Sequence, residues 1–241
     1  MEYSVDGGLE IRKEAYMLID CISDLHGFYP ELEGGDLLIV AGDLTARDTF
    51  LEHSEFKYWL YQQQYRKKIV VAGNHDGDLV NVPPNPLYFS TFNIETGLQS
   101  SYADYLCDSG TEFEGLKIYG SPWTPSFCDW HFMKDRGADI KEKWDLIPAD
   151  VDILVTHGPP HGILDECYDY DSGKIKHAGC EELYLKFYQE RIRPKLHVFG
   201  HIHEGYGHIK HMMDMPTTQF VNASHVDKNY KPVNKPIRVI M

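Results

Sequence analysis

The sequence of 241 residues contains no C-x-x-C pair, and its five cysteines, Cys21, Cys107, Cys128, Cys167 and Cys180, are odd in number. Neither a zinc ribbon nor a disulfide framework is suggested, so the thiols read as reduced. Long apolar runs are also missing. The first, Ala15 to Ile22, is short and broken by Asp20, and none approaches the roughly 20 residues of a membrane span. The opening Met-Glu-Tyr-Ser-Val-Asp has no basic n-region of a secretory signal. These absences give the expectation of a cytoplasmic chain without a membrane segment. Positive charge is scarce as well: 23 Lys and Arg stand against 37 Asp and Glu, a formal net charge of −14, with no basic run beyond Arg66-Lys67-Lys68. Such a field repels polyanions and disfavours extended nucleic-acid binding. Any phosphate must then be drawn by a local cation. The G-x-S-x-G nucleophile elbow, the G-x-x-x-x-G-K-[ST] loop and the G-x-G-x-x-G fingerprint are absent too.

What is present suits one α/β domain over residues 1–241, with 42% apolar residues and 16 Tyr, 11 Phe and 4 Trp to build a core. Short apolar runs end abruptly in polar clusters: Met17–Ile22, Leu37–Val40, Ile69–Val71, Ile153–Val155 and Leu196–Phe199. Runs of this kind suit strands buried on both faces, in sheets covered by helices. Between them the pattern predicts helices from about Asp48 to Tyr65, from about Asp139 to Asp145 and from about Glu181 to Arg191. Gln219–Asn222 and Pro236–Ile240 read as late strands. The segments from Asn81 to Pro86 and from Gly120 to Pro125 read as turn-rich connections. Alternating strands and helices place a site in the loops at the strand C-termini.

Those loops carry the chemistry. Asp24-Leu25-His26, Gly42-Asp43, Gly73-Asn74-His75-Asp76, Thr156-His157-Gly158 and Gly200-His201-Ile202-His203 supply two carboxylates, an amide and four imidazoles, besides His75 and Asp76. In an extended strand exit, residues i and i+2 point the same way, so Asp24 and His26 are expected to converge. Seven donors are too many for one four- to six-coordinate ion that keeps a water, and two metals are the natural count. If Asp43 bridges, each ion receives four protein ligands. Imidazole-rich, thiolate-free ligation favours Mn, Fe, Zn or similar ions, Ni and Co among them, over Mg or Ca. Two divalent ions keep the site cationic inside an acidic protein, and metal coordination lowers the pKa of water to about 7 in favourable cases. His75 is the candidate acid or phosphate contact, and Asp76 is a candidate to orient it.

The ordered clusters from Asp24 to His203 resemble the D-x-H, G-D, G-N-H-[DE], H and G-H-x-H pattern of the calcineurin-like metallophosphoesterase superfamily. The resemblance implies a four-layer α/β/β/α sandwich with two mixed sheets. It also implies Asp24, His26, Asp43 and His203 on one metal, and Asp43, Asn74, His157 and His201 on the other. The segments Thr156-His157-Gly158-Pro159-Pro160, Gly179-Cys180, Arg193 to Gly207 and Phe220-Val221-Asn222-Ala223-Ser224 look closer to the metallophosphoesterase-domain-containing branch of the class III cyclic-nucleotide phosphodiesterases. That branch hydrolyses phosphodiesters, including 2′,3′- or 3′,5′-cyclic nucleotides, often with Mn²⁺. The expectation is a metal-dependent phosphodiesterase for small substrates, monomeric or homodimeric. A phosphomonoesterase or protein phosphatase of the same fold, or a non-catalytic metal-binding scaffold, is the alternative. His161 and Asp165 read as a solvated loop or a helix cap as readily as substrate contacts. Trp123, Phe127 and Trp130 read as core packing ahead of a base-stacking wall.

Overall fold

In the computed structural model, residues 16–84, 88–93, 98–170, 172–189 and 192–241 are described. Alternating burial along the strands sets the architecture. In Gly35–Ala41, the side chains of Leu37, Ile39 and Ala41 lie on one face and those of Leu38 and Val40 on the other, and all are buried. The first set packs with Ile19, Cys21, Ile69 and Val71 against Ile153, Val155, Leu196 and Val198 of a second sheet. The second set packs with Ile22 and Val70 against Phe56, Trp59 and Leu60 of helix α1, Phe50–Gln62. On the outer face of the second sheet, Leu154, Phe199 and Phe220 meet Ile140 and Trp144 of α2, Ala138–Trp144, and Leu183 and Phe187 of α3, Glu181–Tyr188. The layers are therefore helix, sheet, sheet, helix. Both faces of each central strand are covered, one by a helix and one by the opposite sheet, which is why these runs read as near-continuously apolar.

The first sheet runs in the order Ile237–Ile240, Leu18–Ile22, Gly35–Ala41, Tyr65–Val71 and Asp104–Tyr105, parallel except for its antiparallel first edge. The second runs Gly207–Ile209, Gln219–Asn222, Leu196–Phe199, Ile153–Thr156, Leu116–Ser121 and Ser109–Phe113, with four parallel strands between antiparallel edges. Asp20, the polar break in the first apolar run, is buried because three donors satisfy it. Arg238 Nε and Nη2 donate at 2.8 and 2.7 Å, and Tyr65 Oη donates at 2.5 Å. The charge thus ties the edge strand and Tyr65 to the first strand.

Several boundaries differ from the sequence expectation, and α3 already ends at Tyr188. Helix α1 starts later because Asp48 is left-handed (φ 56°) and Thr49 is the N-cap, closing a capping box with Glu52. It ends earlier because Gln63 is extended and Tyr65 opens the next strand. Gly120 and Ser121 belong to a strand rather than to a turn. A Cβ on Gly120 would lie 2.5 Å from Leu106 Cβ and 2.8 Å from Val71 Cγ2, so this glycine serves close sheet-to-sheet approach. Pro86 and Arg191, the far ends of one expected turn and one expected helix, lie outside the described residues.

Candidate metal centre

Every cluster of donors follows the carboxyl end of a parallel strand. Asp24 and His26 follow Leu18–Ile22, Asp43 follows Gly35–Ala41, and Asn74 follows Tyr65–Val71. His157 follows Ile153–Thr156, while His201 and His203 follow Leu196–Phe199. Backbone bonds stitch the two sheets together at this end: the Ser23 amide donates to Ala223 O (2.9 Å) and the His225 amide to Ser23 O (2.7 Å). Asp24, His26, Asp43 and His201 all have positive φ, at 51°, 44°, 51° and 69°. Asp24 and His26 therefore converge through a left-handed loop, not through the i, i+2 alternation of an extended exit. Four such residues among seven donors mark a backbone held in place by its surroundings.

Glycine makes room for these loops. A Cβ on Gly200 would lie 2.0 Å from Asp24 Oδ2, and one on Gly73 would lie 2.3 Å from Asp43 Oδ1. Gly200→Ala is accordingly expected to push Asp24 out of position and to lower kcat/KM roughly 100-fold, as an ångström-scale misplacement does. Steady-state kinetics on a variant with an unchanged circular dichroism spectrum checks this, and wild-type kinetics would contradict the packing argument.

The hydrogen bonds behind the imidazoles decide which nitrogen faces inward. His203 Nδ1 donates to Asp227 O (3.2 Å), so Nε2 is the nitrogen that faces Asp24 Oδ1 and His26 Nε2, each 3.4 Å away. His157 Nδ1 donates to Ala41 O (2.9 Å), and its Nε2 lies 3.0 Å from Asn74 Oδ1 and 3.3 Å from Asp43 Oδ1. At both places an imidazole Nε2 faces carboxylate or amide oxygens, a set that a cation satisfies once it displaces the ring proton. Asp43 stands between the two places: its other oxygen, Oδ2, is 3.5 Å from His26 Nε2. One ligand atom from each of Asp24, His26 and His203 lies within 4.8 Å of the others, and the same holds for Asp43, His157 and His201 and for His26, Asp43 and His75. The donors fit two adjacent divalent ions. A further grouping, Asp48, His53 and Asp78, is satisfied internally, with His53 Nε2 donating to Asp48 Oδ1 (2.8 Å) and the Asp78 amide reaching both Asp48 oxygens.

The electrostatics point the same way. Burial opposes charge on Asp24, Asp43 and His157 alike, yet the pairs prevail. His203 and His157 hold Asp24 below the ordinary carboxylate range, and His157 does the same for Asp43. Asp43 in turn lifts the His157 imidazole to about 9 against its own burial. Burial dominates at His26, pushed down to about 4, and at His201, pushed down to about 3 with help from the neighbouring His157 charge. Two neutral imidazoles are thus ready to ligate.

The sequence profile described as calcineurin-like phosphoesterase matches residues 17–205, most of the chain and every one of these donors. The chain belongs to the calcineurin-like phosphoesterase family. It is 43% identical over 242 residues to metallophosphoesterase domain-containing protein 1 of Homo sapiens, covering 94% of this chain and 71% of that protein. It is also 36% identical over 228 residues to a UPF0046 protein of Caenorhabditis elegans, covering 90% and 78%. Membership assigns metal-dependent hydrolysis of phosphoric esters and agrees with the layered fold. Among the described residues no helix is long and apolar enough to cross a membrane.

Beside the donors of this phosphoesterase, His75 takes a defined pose. Its Nδ1 donates to Ala46 O (2.9 Å), its backbone amide donates to Asp43 Oδ1 (2.9 Å), and its ring lies on Trp130 with centroids 4.3 Å apart. Asp76 does not orient that ring. Its buried carboxylate accepts the amides of Gly73 (2.8 Å), Leu44 (3.1 Å) and Thr45 (3.1 Å), clasping the Asp43 and Asn74 loops together. Burial and the nearby Asp43 push Asp76 up to about 6. Asp165 acts similarly elsewhere, accepting from the Gly162 and Gly179 amides and from His177 Nδ1 (2.7 Å), while the His161 ring lies 5.4 Å from that of His177. The three candidate wall aromatics divide. Trp123 is tied to Asp108 through Nε1 (2.9 Å), whereas exposed Trp130 and Phe127 flank His75 and His201. Sequence reasoning assigned no role to Ser224, whose hydroxyl donates to Asp24 Oδ2 (2.7 Å), and passed over Tyr230, whose ring abuts His26 and His203.

Proposed function

We propose that this phosphoesterase is a phosphodiesterase for small diesters, among them 2′,3′- or 3′,5′-cyclic nucleotides, working with two divalent transition-metal ions, preferably Mn²⁺. Asp24, His26, Asp43 and His203 would hold one ion, and Asp43, Asn74, His157 and His201 the other. When bound, the ions supply Lewis acidity toward phosphoryl oxygens and an acidified water at neutral pH. The observation that carries the reading is the placement of Asp43, with Oδ1 3.3 Å from His157 Nε2 and Oδ2 3.5 Å from His26 Nε2. One carboxylate serves both groups of donors.

The chain's own residues do the rest. With Nδ1 committed to Ala46, His75 keeps Nε2 for a phosphoryl oxygen or for the proton that a departing alkoxide needs. Asp76 holds its loop, and Ser224 holds the Asp24 carboxylate. A net charge of −14 supports a small substrate over a polyanion. The diester preference draws support from the segments Thr156 to Pro160 and Arg193 to Gly207, which resemble the cyclic-nucleotide branch. The test is EDTA-stripped protein reloaded with Mn²⁺ and assayed on bis(p-nitrophenyl) phosphate, p-nitrophenyl phosphate and a panel of cyclic nucleotides. A kcat/KM at least about tenfold higher for diesters is expected from that resemblance, specificity being the ratio of the two kcat/KM values. Preference for the monoester overturns the assignment.

A further inference from the structure

His26 differs from three other imidazoles of the centre in what lies behind it. The Nδ1 atoms of His75, His157 and His203 donate to the carbonyls of Ala46, Ala41 and Asp227 at 2.9, 2.9 and 3.2 Å. His26 Nδ1 is buried and has no hydrogen-bond partner among the described residues. A metal-ligating histidine is ordinarily oriented by a partner on its second nitrogen, so packing must set the plane of this ring. Three rings meet it edge to face: His75 at 4.6 Å, Tyr230 at 4.9 Å and His203 at 5.3 Å between centroids. Two of these belong to the centre itself. Tyr230 comes from outside it, and its ring also closes on His203 at 5.1 Å and 87°.

Tyr230 is held there against its backbone preference, with φ at 57°, a region that bulky residues rarely adopt. A tight turn imposes it. The Tyr230 amide donates to Asp227 O (2.8 Å), the Asp227 amide donates to Lys231 O (2.9 Å), and Asp227 Oδ1 accepts the amides of Asn229 (2.8 Å) and Lys231 (3.0 Å). The Asp227 carbonyl that closes the turn is the one that accepts His203 Nδ1. One turn therefore stands behind both imidazoles on the same side of Asp43, reaching His203 by a hydrogen bond and His26 by ring contact. The Tyr230 side chain is half exposed, so core packing does not explain the strained conformation.

We propose that Tyr230 is a positioning residue for the ion assigned to Asp24, His26, Asp43 and His203, and that its ring, not its hydroxyl, sets the His26 imidazole. The inference rests on the two-ion assignment above. It is tested by equilibrium dialysis of the metal-stripped full chain against Mn²⁺, with wild type, Tyr230→Phe and Tyr230→Gly. Glycine suits the positive φ, so Tyr230→Gly removes the ring and the backbone strain together, and its thermal midpoint without metal should not fall. Expected are two ions on wild type, an unchanged isotherm for Tyr230→Phe, and for Tyr230→Gly one ion weakened about 10- to 100-fold while the other is kept. A wild-type isotherm for Tyr230→Gly overturns the proposal, as does equal weakening of both ions, or a Phe variant as weak as the Gly variant. Fewer than two ions on wild type removes the metal assignment itself, and the role of Tyr230 with it.

Discussion

Asp43→Ala is expected to lose roughly a thousandfold or more in kcat and to bind fewer than two ions, because metal-assisted stabilisation is worth several kcal/mol and, on the proposed assignment, this variant removes a ligand from both places at once. The reason is positional. Asp43 is buried and left-handed at φ 51°, with one oxygen on the His157 side and the other on the His26 side. Among the described residues no second carboxylate reaches both: Asp24 touches His203 and the His201 amide, and Asp76 is engaged by backbone amides. Asp43→Asn separates charge from shape, since the amide oxygen still accepts the His75 amide while the negative charge is lost. It should keep the loop and still lose activity. Metal content by atomic emission, alongside kinetics on a diester, decides the matter: two ions and near-wild-type turnover in Asp43→Ala would remove Asp43 from the centre.

The candidate donors were legible as a group that could come together, because their types are rare at the ends of apolar strands and recur in order. Asp24, His26, Asp43, Asn74, His157, His201 and His203 all lie at one end of the two sheets. Their directions were not legible. The pose of left-handed Asp24 depends on the space that Gly200 leaves and on Ser224, some 200 residues along the chain, whose hydroxyl meets Asp24. Adjacency also misled at Asp76, where three amides outbid the neighbouring imidazole for the carboxylate. Gly120 read as a turn because the residue type alone cannot tell a bend from two sheets in close approach. Tyr230 carried no sequence signal at all, since its role comes from a positive φ and a shared carbonyl. Long-range contacts of this kind separate the part of the centre that could be read from the part that had to be seen.

Metal uptake itself should depend on pH, and the sign follows from His157. Burial favours the neutral ring, but Asp43 lifts the metal-free imidazole from its ordinary 6.5 to about 9. Below that value Nε2 carries a proton at the place where a cation would bind, while His26 and His201, pushed down to about 4 and 3, are already neutral. Loading the centre near pH 7 must therefore expel the His157 proton, and apparent affinity should rise about tenfold per pH unit until it levels off near pH 9. Stability moves the opposite way in the stripped protein. A group whose folded pKa is raised contributes fully below its unfolded value, so this contribution is present below about 6.5 and is lost as pH rises toward 9. Raising pH from 6.5 to 9 should thus lower the thermal midpoint of the stripped chain through this group while widening the gain on adding Mn²⁺. Isothermal titration in buffers of different ionisation enthalpy counts the released proton directly. No proton release near pH 7 would mean that His157 is neutral in the stripped protein, and that Asp43 does not control it.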